Sequence, residues 1–103
     1  MYQLVYNRNK LQYIKYNVSL FNRNVCLIKW LPNSKTILHS HNGKDCSLYI
    51  LNGRLKESIY NKNVKIKSHI LNQYNKTFIN DKIGKHIIEN INSKNTFSLH
   101  YYR

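Results

Sequence analysis

A chain of 103 residues has room for one domain with one modest core and not for two. It has no apolar run of helix-spanning length, and residues 1–10 lack the apolar centre of a secretion signal, so a soluble, cytoplasmic protein is expected, with Cys26 and Cys46 as thiols and not a disulfide. A net charge of +13 is the footprint of a nucleic-acid binder, but the thirteen lysines are scattered among sixteen asparagines without a basic stripe, which reads as a bias toward Lys, Asn, Ile and Tyr. Nucleic acid is therefore a secondary reading, with non-specific adhesion to polyanions expected at low salt.

Nine tyrosines, many Ile and Val, three Gly and one Pro favour strands over helices. In chain order, alternating stretches predict strands over residues 11–18, 24–31, 35–39, 47–51, 55–60, 64–71, 85–89 and 96–102. Turn signals separate them at residues 21–24, Pro32-Asn33, residues 42–45, Asn52-Gly53, residues 61–63, Asn80-Asp81 and residues 92–94. No amphipathic helix, internal repeat or linker interrupts this pattern. Many short strands with regular turns predict an all-β sandwich or small barrel, as a single domain over residues 1–103.

Within it, His39-Ser40-His41 carries two imidazoles spaced i, i+2, which share one face of an extended segment. His86 follows Gly84 much later. Neutral imidazoles suit iron, zinc, copper or nickel, and three of them leave coordination positions for a substrate and a small oxidant. Asp45 lies within the spacing of a carboxylate ligand, so three histidines with one aspartate is a further arrangement, while a solvated face is the bland one. Ser40 points to the opposite face. His69, between Lys65, Lys67 and Ser68, belongs to no motif and is expected to be exposed, and Cys26 is expected in the core. Cys46 and then Gly53, in an Asn-Gly hairpin signal, complete a frame that looks like the first cupin motif.

The run from Cys26 through Trp30-Leu31-Pro32, then His39-Ser40-His41, Cys46 and Leu51-Asn52-Gly53-Arg54-Leu55-Lys56-Glu57, resembles the cysteine dioxygenase family of cupins. Phe78-Ile79-Asn80-Asp81-Lys82-Ile83-Gly84-Lys85-His86, Glu89-Asn90 and Ser98-Leu99-His100-Tyr101-Tyr102 resemble its second half, so the similarity covers residues 6–102. It implies a small cupin-type β-barrel, or jelly roll. His39, His41 and His86 match the Fe(II) ligands. Cys46 matches a cysteine joined through a thioether to a tyrosine, here Tyr102. Arg8 matches the arginine that holds the substrate carboxylate, with Tyr6 beside it. Ser98, His100 and Tyr102 match the catalytic hydrogen-bonded set, with His100 also facing substrate.

The implied activity is Fe(II)-dependent addition of both atoms of O₂ to the sulfur of L-cysteine, or of a close carboxylate-bearing thiol such as 3-mercaptopropionate, giving the sulfinic acid. Each role has a physical reason. Three neutral ligands leave the metal its full positive charge to bind a thiolate. A planar guanidinium holds a carboxylate by two charge-assisted hydrogen bonds. Family members usually carry a helical segment before the barrel and strands after the tyrosine; without them sheet edges would be uncovered, which makes a homodimer a further expectation. The other class of function is a non-catalytic metal-binding cupin, a binding or structural module contacting nucleic acid through its basic surface. A scaffold has no need of the whole histidine, cysteine, serine and tyrosine set, which favours the enzyme.

Overall fold

The computed structural model describes residues 2–20, 23–41 and 43–103. Phe21 and Asn22 of one expected turn, and Asn42 of another, lie outside the described residues. Nine strands are present among those described: β1 (Tyr2–Asn7), β2 (Lys10–Leu20), β3 (Arg23–Trp30), β4 (Cys46–Asn52), β5 (Leu55–Asn61), β6 (Val64–Leu71), β7 (Lys76–Ile79), β8 (Lys85–Glu89) and β9 (Thr96–Tyr102). They form a six-stranded sheet, ordered β1-β2-β3-β9-β4-β7, and a three-stranded sheet, ordered β6-β5-β8, with antiparallel pairing throughout. No described helix is long and apolar enough to cross a membrane.

The two sheets share one core. Ile28, Trp30, Leu48 and Ile50 from the larger sheet pack with Leu55, Leu71 and Ile88 from the smaller. Strand alternation produces this: in β4, buried Cys46, Leu48 and Ile50 alternate with the more exposed Ser47, Tyr49 and Leu51. In β9 the same inward period carries Thr96, Ser98 and His100, so the sequence puts polar chemistry on a core-facing side.

Turn chemistry sets the hairpins. Arg8 and Asn9 between β1 and β2, and Lys62 and Asn63 between β5 and β6, all have positive φ. Two consecutive left-handed residues make the primed turn whose twist matches the flanking strands, and asparagine tolerates it well.

Three elements differ from the sequence expectation. β1 and β7 were not expected as strands, and residues 35–39 form no regular strand. The segment from Leu31 to Asp45 is instead a loop touching β8 through isolated bridges at Lys35–Glu89 and His39–His86. Buried Asn90 fixes its start: its amide donates to the carbonyls of Trp30, Leu31 and Lys94, while its oxygen accepts from the Asn92 backbone N–H and from Thr96 Oγ1. At Gly84, φ is 143° and a Cβ would collide with the Tyr60 carbonyl oxygen, so only glycine lets the turn close this tightly onto β5 just before His86.

Candidate metal centre and its cavity

His39 and His41 reach the site from the loop and not from a strand. His39 is held by paired backbone hydrogen bonds with His86, 3.2 and 3.1 Å long. The backbone N–H of His41 donates to Asp81 Oδ1 at 3.0 Å and that of Gly43 to Asp81 Oδ2 at 2.7 Å, so one surface carboxylate clamps the loop around the histidine. Those two bonds hold the Asp81 carboxyl below its usual range. His86 comes from β8. The ligand atoms of the three histidines lie within 4.8 Å of one another, with ring centroids 4.5 to 5.1 Å apart.

The protonation pattern suits a cation. The Ile37 carbonyl can only accept, so His39 Nδ1, 2.9 Å away, carries the hydrogen and Nε2 is left as a lone pair. Glu57 Oε2 accepts from His86 Nδ1 at 2.9 Å, which leaves His86 Nε2 in the same state. These two Nε2 atoms face each other at 3.0 Å. Two acceptors at that distance repel unless something positive lies between them or beside them. His41 Nδ1 is buried without a hydrogen-bond partner, a third polar atom whose burial is otherwise uncompensated. The residues therefore fit a metal ion bound by three neutral nitrogens.

Burial favours the neutral form of His39 and His41. Burial, then the neighbouring His86 and His39, push His41 down to about 4, against the pull of Asp81 and Glu57. Burial likewise lowers His39, although its bond to the Ile37 carbonyl opposes this.

Glu57, fully buried on β5, was not expected in the site. Burial pushes its carboxyl up, but hydrogen bonds from His86, His69 and Thr77 outweigh that and hold it ionised, below its usual range. Its Oε1 accepts from His69 Nε2 at 2.5 Å and Thr77 Oγ1 at 3.1 Å. His69, expected to be exposed, is half-buried against this carboxylate because it is the direct cross-strand partner of Glu57. A carboxylate behind a ligating imidazole fixes its tautomer and raises its basicity, and losing it costs about 10- to 100-fold in metal affinity. Glu57→Gln is expected to weaken metal binding by that factor, read by competition with a chromogenic chelator. His69→Gln should have a much smaller effect.

Beside the histidines lies an open cavity of about 480 Å³, lined along β2 by Tyr13, Lys15 and Asn17, along β3 by Cys26, Ile28 and Trp30, and by His100 and Tyr102 from β9. Trp30 Nε1 donates to Ser98 Oγ at 2.8 Å, which leaves the Ser98 hydroxyl to donate to His100 Nε2 at 2.7 Å. Burial above all brings His100 down to about 3, so it accepts as a neutral imidazole. Tyr102 lies 6.4 Å from His41 between ring centroids and is the direct cross-strand partner of Cys46. The Cys46 thiol donates to the Ser47 carbonyl at 3.9 Å. Burial and then Glu57 push the Cys46 thiol up to about 12, and burial raises the Tyr102 hydroxyl, so both are protonated at neutral pH.

The structure thus gathers His39, His41, His86, Cys46, Ser98, His100 and Tyr102 around one site. Arg8 and Tyr6 are not brought there. Arg8 occupies the left-handed turn position at the β1–β2 tip, is exposed, and does not line the cavity; Tyr6, on the edge strand β1, is 57% exposed. Asp45 is also outside the cluster, accepting from Asn80 Nδ2 at 3.3 Å. Cys26 is buried as expected, and its thiol donates to Asn17 Oδ1 at 3.3 Å.

Comparison with known proteins agrees with this geometry. The family model described as Cysteine dioxygenase type I matches residues 4–103. Cysteine dioxygenase type 1 of Homo sapiens is 32% identical over 87 residues, covering 77% of this chain and 44% of that protein. The Rattus norvegicus protein of the same name is 30% identical over the same coverage. The chain therefore spans about half the length of these curated relatives. Among solved structures, a Thermus thermophilus protein superposes with a TM-score of 0.74 at 20% identity, over 95% of this chain and 87% of that one. The Drosophila melanogaster CENP-C cupin domain does so with 0.73 at 12% identity, over 99% and 75%. At such identities these likenesses establish the fold alone, a single small all-β cupin domain. With the family match running over nearly the whole chain and the three-histidine site in place, the chain belongs to the cysteine dioxygenase type I family.

Proposed function

We propose that this domain is a non-haem iron thiol dioxygenase that converts L-cysteine, or a close carboxylate-bearing thiol, to its sulfinic acid. The observation that carries the reading is the convergence of two opposed imidazole lone pairs and the unpartnered His41 nitrogen beside a cavity lined by Tyr102 and by His100, which Ser98 holds from behind. His39, His41 and His86 would hold iron(II), which would supply the Lewis-acid and redox chemistry for reaction of a thiol with O₂.

The chain's own residues do the rest. Glu57 keeps His86 in the ligating tautomer. Ser98 presents its hydroxyl to His100 and fixes that ring at the cavity wall. Tyr102, held protonated, offers an O–H to bound substrate or oxygen. The overall change is RS⁻ + O₂ → RSO₂⁻: sulfur loses four electrons, O₂ takes four, and both oxygen atoms end on sulfur, so no external reductant is required. In this reading Cys46, the cross-strand partner of Tyr102, forms a thioether to its ring, a sulfur-to-carbon bond made with loss of two hydrogens to O₂, which leaves as H₂O₂.

An oxygen electrode tests the reading. Protein loaded with Fe(II) should take up O₂ only when L-cysteine is present, and chelated or zinc-loaded protein should not. After such turnover, peptide mass analysis should find a Cys46–Tyr102 cross-linked species two hydrogens lighter, absent from Cys46→Ala. Iron-loaded protein that takes up no oxygen with any small thiol would contradict the proposal.

A further inference from the structure

We propose that Lys15, and not an arginine, is the anchor for the carboxylate of the substrate; this deepens the dioxygenase reading and rests on it for the identity of the ligand. Arg8 sits on an exposed turn outside the cavity. Among the cavity-lining residues only Lys15 and Lys44 carry a permanent positive charge, and none is a carboxylate. A pocket with cations and no acid selects an anion.

Lys15 is the better placed of the two. It lies in the middle of β2, paired in register with Ile28 of β3, with Tyr13 and Asn17 at i−2 and i+2 facing the same cavity. Lys44 is exposed on the loop after His41. The Lys15 ammonium stands 5.3 Å from the centre of the Tyr102 ring, and that ring lies next to His41 and Cys46. Lys15 and His41 thus both lie near this ring, the ammonium 5.3 Å and the His41 ring centre 6.4 Å from its centre. The Lys15 charge is felt by His39, His100 and both cysteines, which agrees with that position.

The ammonium also lacks an anion. Both ion pairs formed among the described residues use Glu57, with His69 and His86 as the partners, and no carboxylate reaches Lys15. A half-buried ammonium whose charge meets only a ring face retains donors for a carboxylate entering the cavity. An α-amino acid with its thiol at the histidines and its carboxylate at Lys15 fills that role. A thiol lacking the carboxylate cannot.

The test compares L-cysteine with cysteamine, which keeps the thiol and amine and lacks the carboxylate. Trp30, the sole tryptophan, lines the cavity and reports binding by fluorescence in anaerobic titrations of Fe(II)-loaded protein. Lys15→Met should weaken L-cysteine binding at least about tenfold and leave cysteamine binding unchanged. Lys15→Arg should restore most of the loss, and Arg8→Met should match wild type for both thiols. Lys15→Gln, which keeps a polar side chain, repeats the test in a variant less disturbing to the strand.

Undiminished L-cysteine binding in both Lys15→Met and Lys15→Gln would overturn the proposal. So would an equal loss of both thiols, or a loss in Lys44→Met in place of Lys15→Met. Oxygen uptake separates the two levels of inference. Lys15-dependent cysteine binding without oxygen uptake refutes the dioxygenase reading and leaves the anchor standing; normal uptake with Lys15-independent binding refutes the anchor alone.

Discussion

Replacing His86 by alanine is expected to lower metal affinity by well over about 100-fold, since even a partner behind a ligand is worth about 10- to 100-fold. The loss extends beyond one nitrogen. His86 Nδ1 is one of three donors that keep buried Glu57 ionised. The side chain's removal leaves a fully buried carboxylate with His69 and Thr77 only, a penalty of about 1–3 kcal/mol to the metal-free fold. His86→Gln, which keeps a polar side chain at this position, should recover part of the stability and little of the metal binding. Metal content after dialysis and urea unfolding separate the two effects. Full metal retention in both variants would remove His86 from the site.

Acid should unfold the metal-free protein well before it unfolds the metal-bound one. His41 and His100 have folded-state values near 4 and 3, against an ordinary value of 6.5. Between those limits the unfolded chain binds more protons than the folded one, so stability is full above pH 6.5 and falls as pH drops. Glu57 acts in the same direction, because its depressed carboxyl contributes stability that is lost on protonation. Each of the two histidines should cost about 1–2 kcal/mol by pH 5. Urea midpoints at pH 7.5 and pH 5 measure this directly, and His41→Asn should flatten the dependence. Bound metal, which takes only unprotonated nitrogens, should move the loss to lower pH. Equal midpoints at the two pH values would contradict the buried, neutral placement of these rings.

Much of the fold was legible because the strands that build the core obey the two-residue period. β3, β4, β5, β8 and β9 were all expected within a residue or two of where they lie. β7 was missed because Lys76–Ile79 is only four residues long, and β1 because an edge strand with mostly exposed side chains carries no inward pattern. The His39 segment looked like a strand because extended loops and strands both place residues i and i+2 on the same side, so the two imidazoles share a side although the element is a loop.

The site divides in the same way. Residues that belong to compact motifs, His39, His41, His86, Cys46, Ser98, His100 and Tyr102, lie near one another in the structure. Glu57 was overlooked although it had a signal: it occupies the inward period between Leu55 and Ile59, where a carboxylate must find a partner. Lys15 had none, since both faces of β2 carry apolar residues and only the register with β3 decides which faces the cavity. Arg8 illustrates the converse: its local motif matched, but its place at the tip of a primed turn points it to solvent.

The most direct test of the central claim is turnover of Fe(II)-loaded protein with L-cysteine under ¹⁸O₂, followed by mass analysis of the product. The account predicts one O₂ consumed per sulfinic acid formed, with both labelled oxygen atoms on sulfur. Iron-loaded protein that leaves L-cysteine unoxidised, or that yields only disulfide without label, would contradict it.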